Sequence, residues 1–117
     1  MKLGVIGGLL QGMEATYLAK KAGYETLVID RDEKAPAISL ADSSEILDIN
    51  LEKSKAKRIL CDCDAVIPAN ENIETLISID EIAREIDIEV KRIIDEAYAQ
   101  AKTIITEHMD VLHRCAQ

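Results

Sequence analysis

KLGVIGGLLQGMEATYLAKKAGYETLVID, residues 2–30, sets the architecture of this chain. Lys2–Ile6 is a short apolar run that stops at glycines, the pattern of a buried strand. Leu10–Ala22 reads as a helix, with Met13, Tyr17 and Leu18 on its apolar side and Gly23 as its C-terminal cap. Glu25–Ile29 is a second apolar run with Asp30 at its end. Strand, glycine loop, helix and strand at this spacing imply two parallel strands joined by a right-handed crossover.

The alternation continues. Arg31–Asp42 is a loop with a short helix around Ala37, after Pro36. Glu45–Ile49 is the third strand, Leu51–Leu60 a Lys-rich helix, Asp64–Pro68 the fourth strand, and Glu71–Ile77 opens another helix. The expected fold is α/β: half of a doubly wound, Rossmann-like parallel sheet of about four strands, with an open edge that needs cover.

Near residue 78 the chain changes character. All five glycines and both prolines precede it. After it the pattern is purely helical, and Ser78-x-x-Glu81 has the form of a capping box that starts a helix. Ile82, Ile86, Val90, Ile93 and Ala97 recur at helical steps, and Ala101, Ile104 or Ile105, and Leu112 continue the stripe. Asp80, Glu81 and Glu85 crowd the first turns, as the helix dipole favours. A straight helix of some 35 residues would reach about 50 Å. A kink or turn is therefore expected near Thr106–Asp110, with a shorter helix behind it. The alternative is a protruding helix that pairs with a second chain. The expected division is 1–77, a truncated α/β segment, and 78–117, a helical segment that packs on it to make one compact domain.

At 117 residues with a net charge of −8, the chain is long enough for one core. Each side of residue 78 carries −4, which argues against nucleic acid and anionic membrane as partners. The absence of Phe and Trp argues against base stacking. Cys61, Cys63 and Cys115 do not make a disulfide framework. His108 and His113, five apart on a helix, point about 140° apart, so no metal site is expected. With no signal peptide and no long apolar run, a cytoplasmic location is expected.

Two stretches have the form of binding elements. Val5–Gly12 joins the first strand to the first helix. Glycines there let backbone amides approach a ligand, and a helix N-terminus favours an anion. The spacing is not G-x-G-x-x-G, and Gly7 and Gly8 also suit a simple tight turn. Asp30 sits where such folds often read a ribose hydroxyl. Pro68-Ala-Asn-Glu-Asn72 closes the fourth strand at the carboxyl end of the sheet, where open α/β folds bind ligands. It suits either an ammonium group or a polar N-cap for the next helix.

KLGVIGGLLQGMEATYLAKKAGYETLVIDRDEKA, with ADSSEILDIN and DAVIPANEN, resembles the start of the PylC family of pyrrolysine-biosynthesis ATP-grasp ligases over residues 1–77. That family joins 3-methylornithine to lysine. The resemblance implies a pre-ATP-grasp fold and vestigial sites. Gly7, Gly8, Asp30, Asp48 and Ile49 would face the nucleotide; Leu10 and Gln11 would lie by the amino-acid substrate, with Glu71 on its amine. Leu9 stands where the family carries a lysine. The ATP-grasp lysines and metal-binding carboxylates belong to later domains and are absent here, so ATP and Mg are expected only as residual weak ligands.

SIDEIAREIDIEVKRIIDEAYAQAKTIITEHMDVL is similar to a helical segment near the end of the FtsH protease, a AAA+ zinc metalloprotease. Neither its H-E-x-x-H helix nor its ATPase module is present, so no catalytic residue carries over. Two unrelated families meeting without a linker imply an engineered or recombined chimera, a folded soluble scaffold with no reaction of its own. The alternative is residual binding of adenine nucleotide or a lysine- or ornithine-type amino acid. The unfinished sheet and the amphipathic helix also imply self-association, as a homodimer or by domain swapping.

Overall fold

A computed structural model describes the backbone of residues 1–116 and the side chains of 1–87 and 94–109. Four strands, β1 (Lys2–Ile6), β2 (Glu25–Asp30), β3 (Ser43–Ile46) and β4 (Ala65–Pro68), alternate with α1 (Leu10–Lys21), α2 (Pro36–Leu40), α3 (Lys53–Leu60) and α4 (Ile73–Ala116). The sheet is parallel throughout, in the order β3-β2-β1-β4. This is the expected half of a doubly wound sheet followed by a C-terminal helical segment. Among the described residues no helix is long and apolar enough to cross a membrane. The chain forms two compact units, Met1–Arg84 and Glu85–Gln117.

In the first unit the two central strands are buried on both faces. Val5, Val28 and Ile29 are almost fully covered. Val5 and Val28 cluster with Ala37 of α2 and with Ala69, and Ala15 of α1 packs against them. Successive residues of a strand point to opposite faces. Gly4 accordingly meets Leu60 of α3 on the other side. Each buried Val or Ile contributes about 1.5–3 kcal/mol relative to exposure.

Helix α1 does not use the face its sequence suggests. Gly12, Thr16 and Ala19 are buried, whereas Tyr17 and Leu18 are more than half exposed and Met13 stands at the surface. The reason is distance. A Cβ on Gly12 would strike the carbonyl oxygen of Gly7, so only small residues fit between this helix and the loop beneath it. Gly7 itself has φ +112°, and a Cβ there would strike the carbonyl of Ala69, just past β4. At the far end, Gly23 N–H donates to Lys20 O and Tyr24 N–H to Ala19 O, a Schellman ending with Gly23 at φ +88°.

Other boundaries differ from expectation for local reasons. β3 begins at Ser43 and leaves the sheet after Ile46; Leu47 and Ile49 turn into the core instead of extending the strand. α3 starts at Lys53, because Leu51 and Glu52 donate back to Asp48 O in a turn. The helix expected to open over Glu71–Ile77 and the one expected from Ser78 are a single helix that starts at Ile73. Asn72 caps it, its Oδ1 accepting Thr75 N–H at 3.0 Å. Ser78 lies inside the helix, 2% exposed, and its hydroxyl donates to Asn50 Oδ1 at 2.7 Å. Glu81 pairs with Lys53 rather than with a capping serine. Ile79 and Ile82 are buried on the same stretch.

In the second unit the turn expected at Thr106–Asp110 is not formed, and the helical backbone continues to Ala116. No Gly or Pro follows residue 78 to break it. Thr103 and Thr106 fold their hydroxyls back onto Ala99 O and Lys102 O, which satisfies them within the helix. His113, weighed above as a metal ligand, and Cys115 lie outside the residues whose side chains are described.

Asp42 ties the β2 and β3 starts together. Its Oδ2 accepts Thr26 N–H at 2.8 Å and Thr26 Oγ1 at 3.1 Å, while its own N–H donates to Thr26 Oγ1. These Thr26 bonds, backbone first, with Lys20 alongside, hold the Asp42 carboxyl below the ordinary aspartate value of 3.8. Its contribution is present above that value and is lost as pH falls through the lowered folded pKa. Asp42→Asn should therefore reduce the loss of stability between pH 5 and pH 2, read by urea unfolding at each pH; equal acid sensitivity in both proteins would refute the role. Gly12→Ala should cost about 2–4 kcal/mol by forcing α1 off the loop. An unchanged urea midpoint would show that the helix does not sit so close.

Candidate functional site

The carboxyl ends of all four strands meet at one side of the first unit, and an open cleft of about 490 Å³ lies there. The loop after β1 supplies Gly7 and Leu9. The end of β2 supplies Asp30 and Arg31, the segment after β3 supplies Leu47–Leu51, and the β4–α4 connection supplies Asn70–Asn72 with Glu74 and Thr75. Of the residues singled out in the sequence, Gly7, Asp30, Asp48, Ile49 and Glu71 line it, and Gly8, Leu10 and Gln11 do not.

Several of these groups are already bonded to the protein. Asp30 Oδ2 accepts Gly8 N–H and its Oδ1 accepts Asp32 N–H, both at 2.8 Å. The carboxylate thus organises the glycine loop and occupies one of the amides that an anion would seek. Asp48 Oδ1 accepts Asn50 N–H at 2.9 Å. Ile49 is 4% exposed, so it forms the floor. Asn70 Nδ2 donates to Ile6 O at 3.2 Å and its Oδ1 accepts Asn72 N–H, which fixes the turn after β4. Glu71 stands at the surface, and its Oε1 accepts Gln11 Nε2 at 3.2 Å. Gln11 and Glu71 therefore meet although 60 residues separate them.

Asn50 joins the β3–α3 connection to α4 and was not singled out in the sequence. Its Nδ2 donates to Thr75 Oγ1 at 3.1 Å and its Oδ1 accepts the buried Ser78 hydroxyl. A lone asparagine after an apolar run reads as a turn residue. Only the return of α4 beside it reveals the second role. Arg31, Glu74 and Thr75 were likewise missed, since each is an ordinary surface residue on its own element.

The lining carries four carboxylates, Asp30, Asp48, Glu71 and Glu74, against a single cation, Arg31. It also carries Asn50, Asn70 and Asn72 as neutral donors and acceptors. Such a wall favours a positively charged guest with hydrogen-bonding ends and opposes a polyanion.

Comparison with known proteins bears on this geometry. The family described as PylC-like, N-terminal domain, matches residues 4–94. The 3-methyl-D-ornithine–L-lysine ligase of Methanosarcina mazei is 44% identical over 72 residues, 62% of this chain and 19% of that protein. The N5-carboxyaminoimidazole ribonucleotide synthetase structure from Thermotoga maritima superposes with a TM-score of 0.57 at 28% identity, covering 62% of this chain and 20% of that one. The ATP-dependent zinc metalloprotease FtsH 1 of Thermoanaerobacter sp. is 53% identical over 38 residues, 32% of this chain and 6% of that protein. The chain thus spans about a fifth of the ligases it matches.

Asn50→Ala would leave the buried Ser78 hydroxyl and Thr75 unpaired, with an expected loss of about 1–3 kcal/mol. Thermal unfolding with Ser78→Ala and the double variant checks this. The two losses should fall short of additive, and full additivity would mean that the two side chains act separately.

Proposed function

Because the chain belongs to the PylC-like N-terminal domain family, we propose that it is a non-catalytic binding module whose cleft takes a small amine-bearing molecule of the lysine or ornithine type. The observation that carries this reading is the excess of carboxylates over cations along the cleft wall. Glu71, with its free oxygen and its Gln11 partner, is the group assigned to the ligand ammonium, and Asp48 and Glu74 add to the field. Gln11 meets Glu71 from outside the lining, and Leu10 precedes it on α1. The chemistry of the lysine-joining relative makes such a ligand a natural guest.

An adenine nucleotide is the second reading, and the same wall weighs against it. Phosphoryl groups need cations and free amides. The lining offers one guanidinium, and the Gly8 amide is taken by Asp30. Gly7, Gly8, Asp30, Asp48 and Ile49 then serve as the frame of the cleft. No reaction is assigned to this chain, for the same lack of groups that would hold a triphosphate. We also read the chain as a recombined product of two fragments, supported by the separate likeness to FtsH. The family match continues to residue 94, past Ser78.

Titration calorimetry tests the binding. L-Lysine and L-ornithine should bind with a dissociation constant on the order of 1 mM, while norleucine, which lacks the terminal amine, and ATP should give no heat. Glu71→Gln should weaken lysine roughly fivefold. Absence of lysine heat at tenfold higher concentration, or tighter binding of ATP, would overturn the reading.

A further inference from the structure

In the second unit, Ile94, Tyr98, Ala101 and Ile105 follow at steps of four, three and four, the spacing of a d-a-d-a seam. Ala97 and Ile104 border the seam on one side, Asp95 and Lys102 on the other. Ile94, Tyr98, Ile104 and Ile105 are each at least 60% exposed. The opposite side carries Glu96, Gln100, Thr103 and Glu107. A single helix is marginal in water, and an amphipathic one draws its stability from whatever covers its apolar stripe.

We propose that a second copy of this chain covers the stripe, with the two α4 segments antiparallel. The charges choose both the occupant and the direction. In an antiparallel pair centred between Ala99 and Gln100, Ile94 meets Ile105 of the partner subunit, and Tyr98 meets Ala101 of the partner subunit. The positions beside the seam then set Asp95 against Lys102 of the partner subunit, and Lys102 against Asp95 of the partner subunit. Ala97 and Ile104 close the other border with apolar contact. The pattern is self-complementary about a two-fold axis, as a homodimer requires. A parallel pair would set Lys102 against Ala97 of the partner subunit and form no ion pair at that border. Neither Asp95 nor Lys102 has an ion-pair partner among the described residues. The seam is short, so the dimer is a weak one.

Sedimentation equilibrium of the full chain from about 10 to about 500 micromolar tests this. The wild type should show a reversible monomer–dimer equilibrium. Asp95→Lys and Lys102→Glu each turn both cross-pairs repulsive and should raise the dissociation constant about tenfold or more. An equimolar mixture of the two variants should restore association as a heterodimer, and the double variant should restore the homodimer. Ile105→Glu should leave a monomer whose circular dichroism still shows the folded first unit. A wild type that stays monomeric, single variants that associate like the wild type, or a mixture that gains nothing would each overturn the proposal.

Discussion

The close seat of α1 on the glycine loop governs the rest of the first unit. Gly12 lies so near the Gly7 carbonyl, and Gly7 so near Ala69, that no side chain fits at either contact. That contact fixes the angle at which α1 leaves β1. It turns the small face of Gly12, Thr16 and Ala19 toward the sheet and leaves the larger apolar side chains outside. It also locks the end of β1 against the turn after β4, and so brings Gln11 to Glu71. The glycines therefore build the cleft through steric approach, whatever ligand enters it.

The sheet was legible because β1 and β2 are continuous apolar runs between glycines, and because strand and helix alternate at regular spacing. What failed was the inner face of α1, since hydrophobicity alone ranks Met13, Tyr17 and Leu18 above glycine and threonine as core. Packing distance reversed that order. The separate helix start at Ser78 failed for a different reason. Ser78 and Glu81 form a valid local capping pattern, but Asn72 offers a cap earlier, and Asn50 and Lys53 bind Ser78 and Glu81 across the fold. Local signals lose when tertiary partners compete for the same side chains. The expected turn near Thr106 rested on length, and nothing in the side chains there enforces one.

The cleft was legible only in part. Asp30, Asp48 and Glu71 stand at strand ends, where a topological rule finds them. Asn50, Glu74 and Thr75 acquire meaning only from the return of α4 beside the β3–α3 segment. The charge balance of the wall likewise emerges from the fold, because the carboxylates come from three separate places, the end of β2, the β3–α3 segment and the β4–α4 connection running into α4. The seam in composition near residue 78 coincides with no break in the backbone: α4 begins five residues earlier in the family-like part and carries on.

The strand order has a consequence for how the chain reaches this state. β1 sits in the middle of the sheet and pairs with β2, nearby in sequence, and with β4, just before which Asp64 accepts Lys2 N–H across 62 residues. Long loops close late, because their entropy cost comes before the contacts that repay it. The β1–α1–β2 unit therefore assembles first and waits with one side of β1 unpaired. Docking of β4 completes the sheet and, in the same step, carries Asn70–Asn72 to the cleft. The cleft is thus the last feature the folding chain completes, and a nascent chain that has not yet released β4 is a folded-looking half sheet without one.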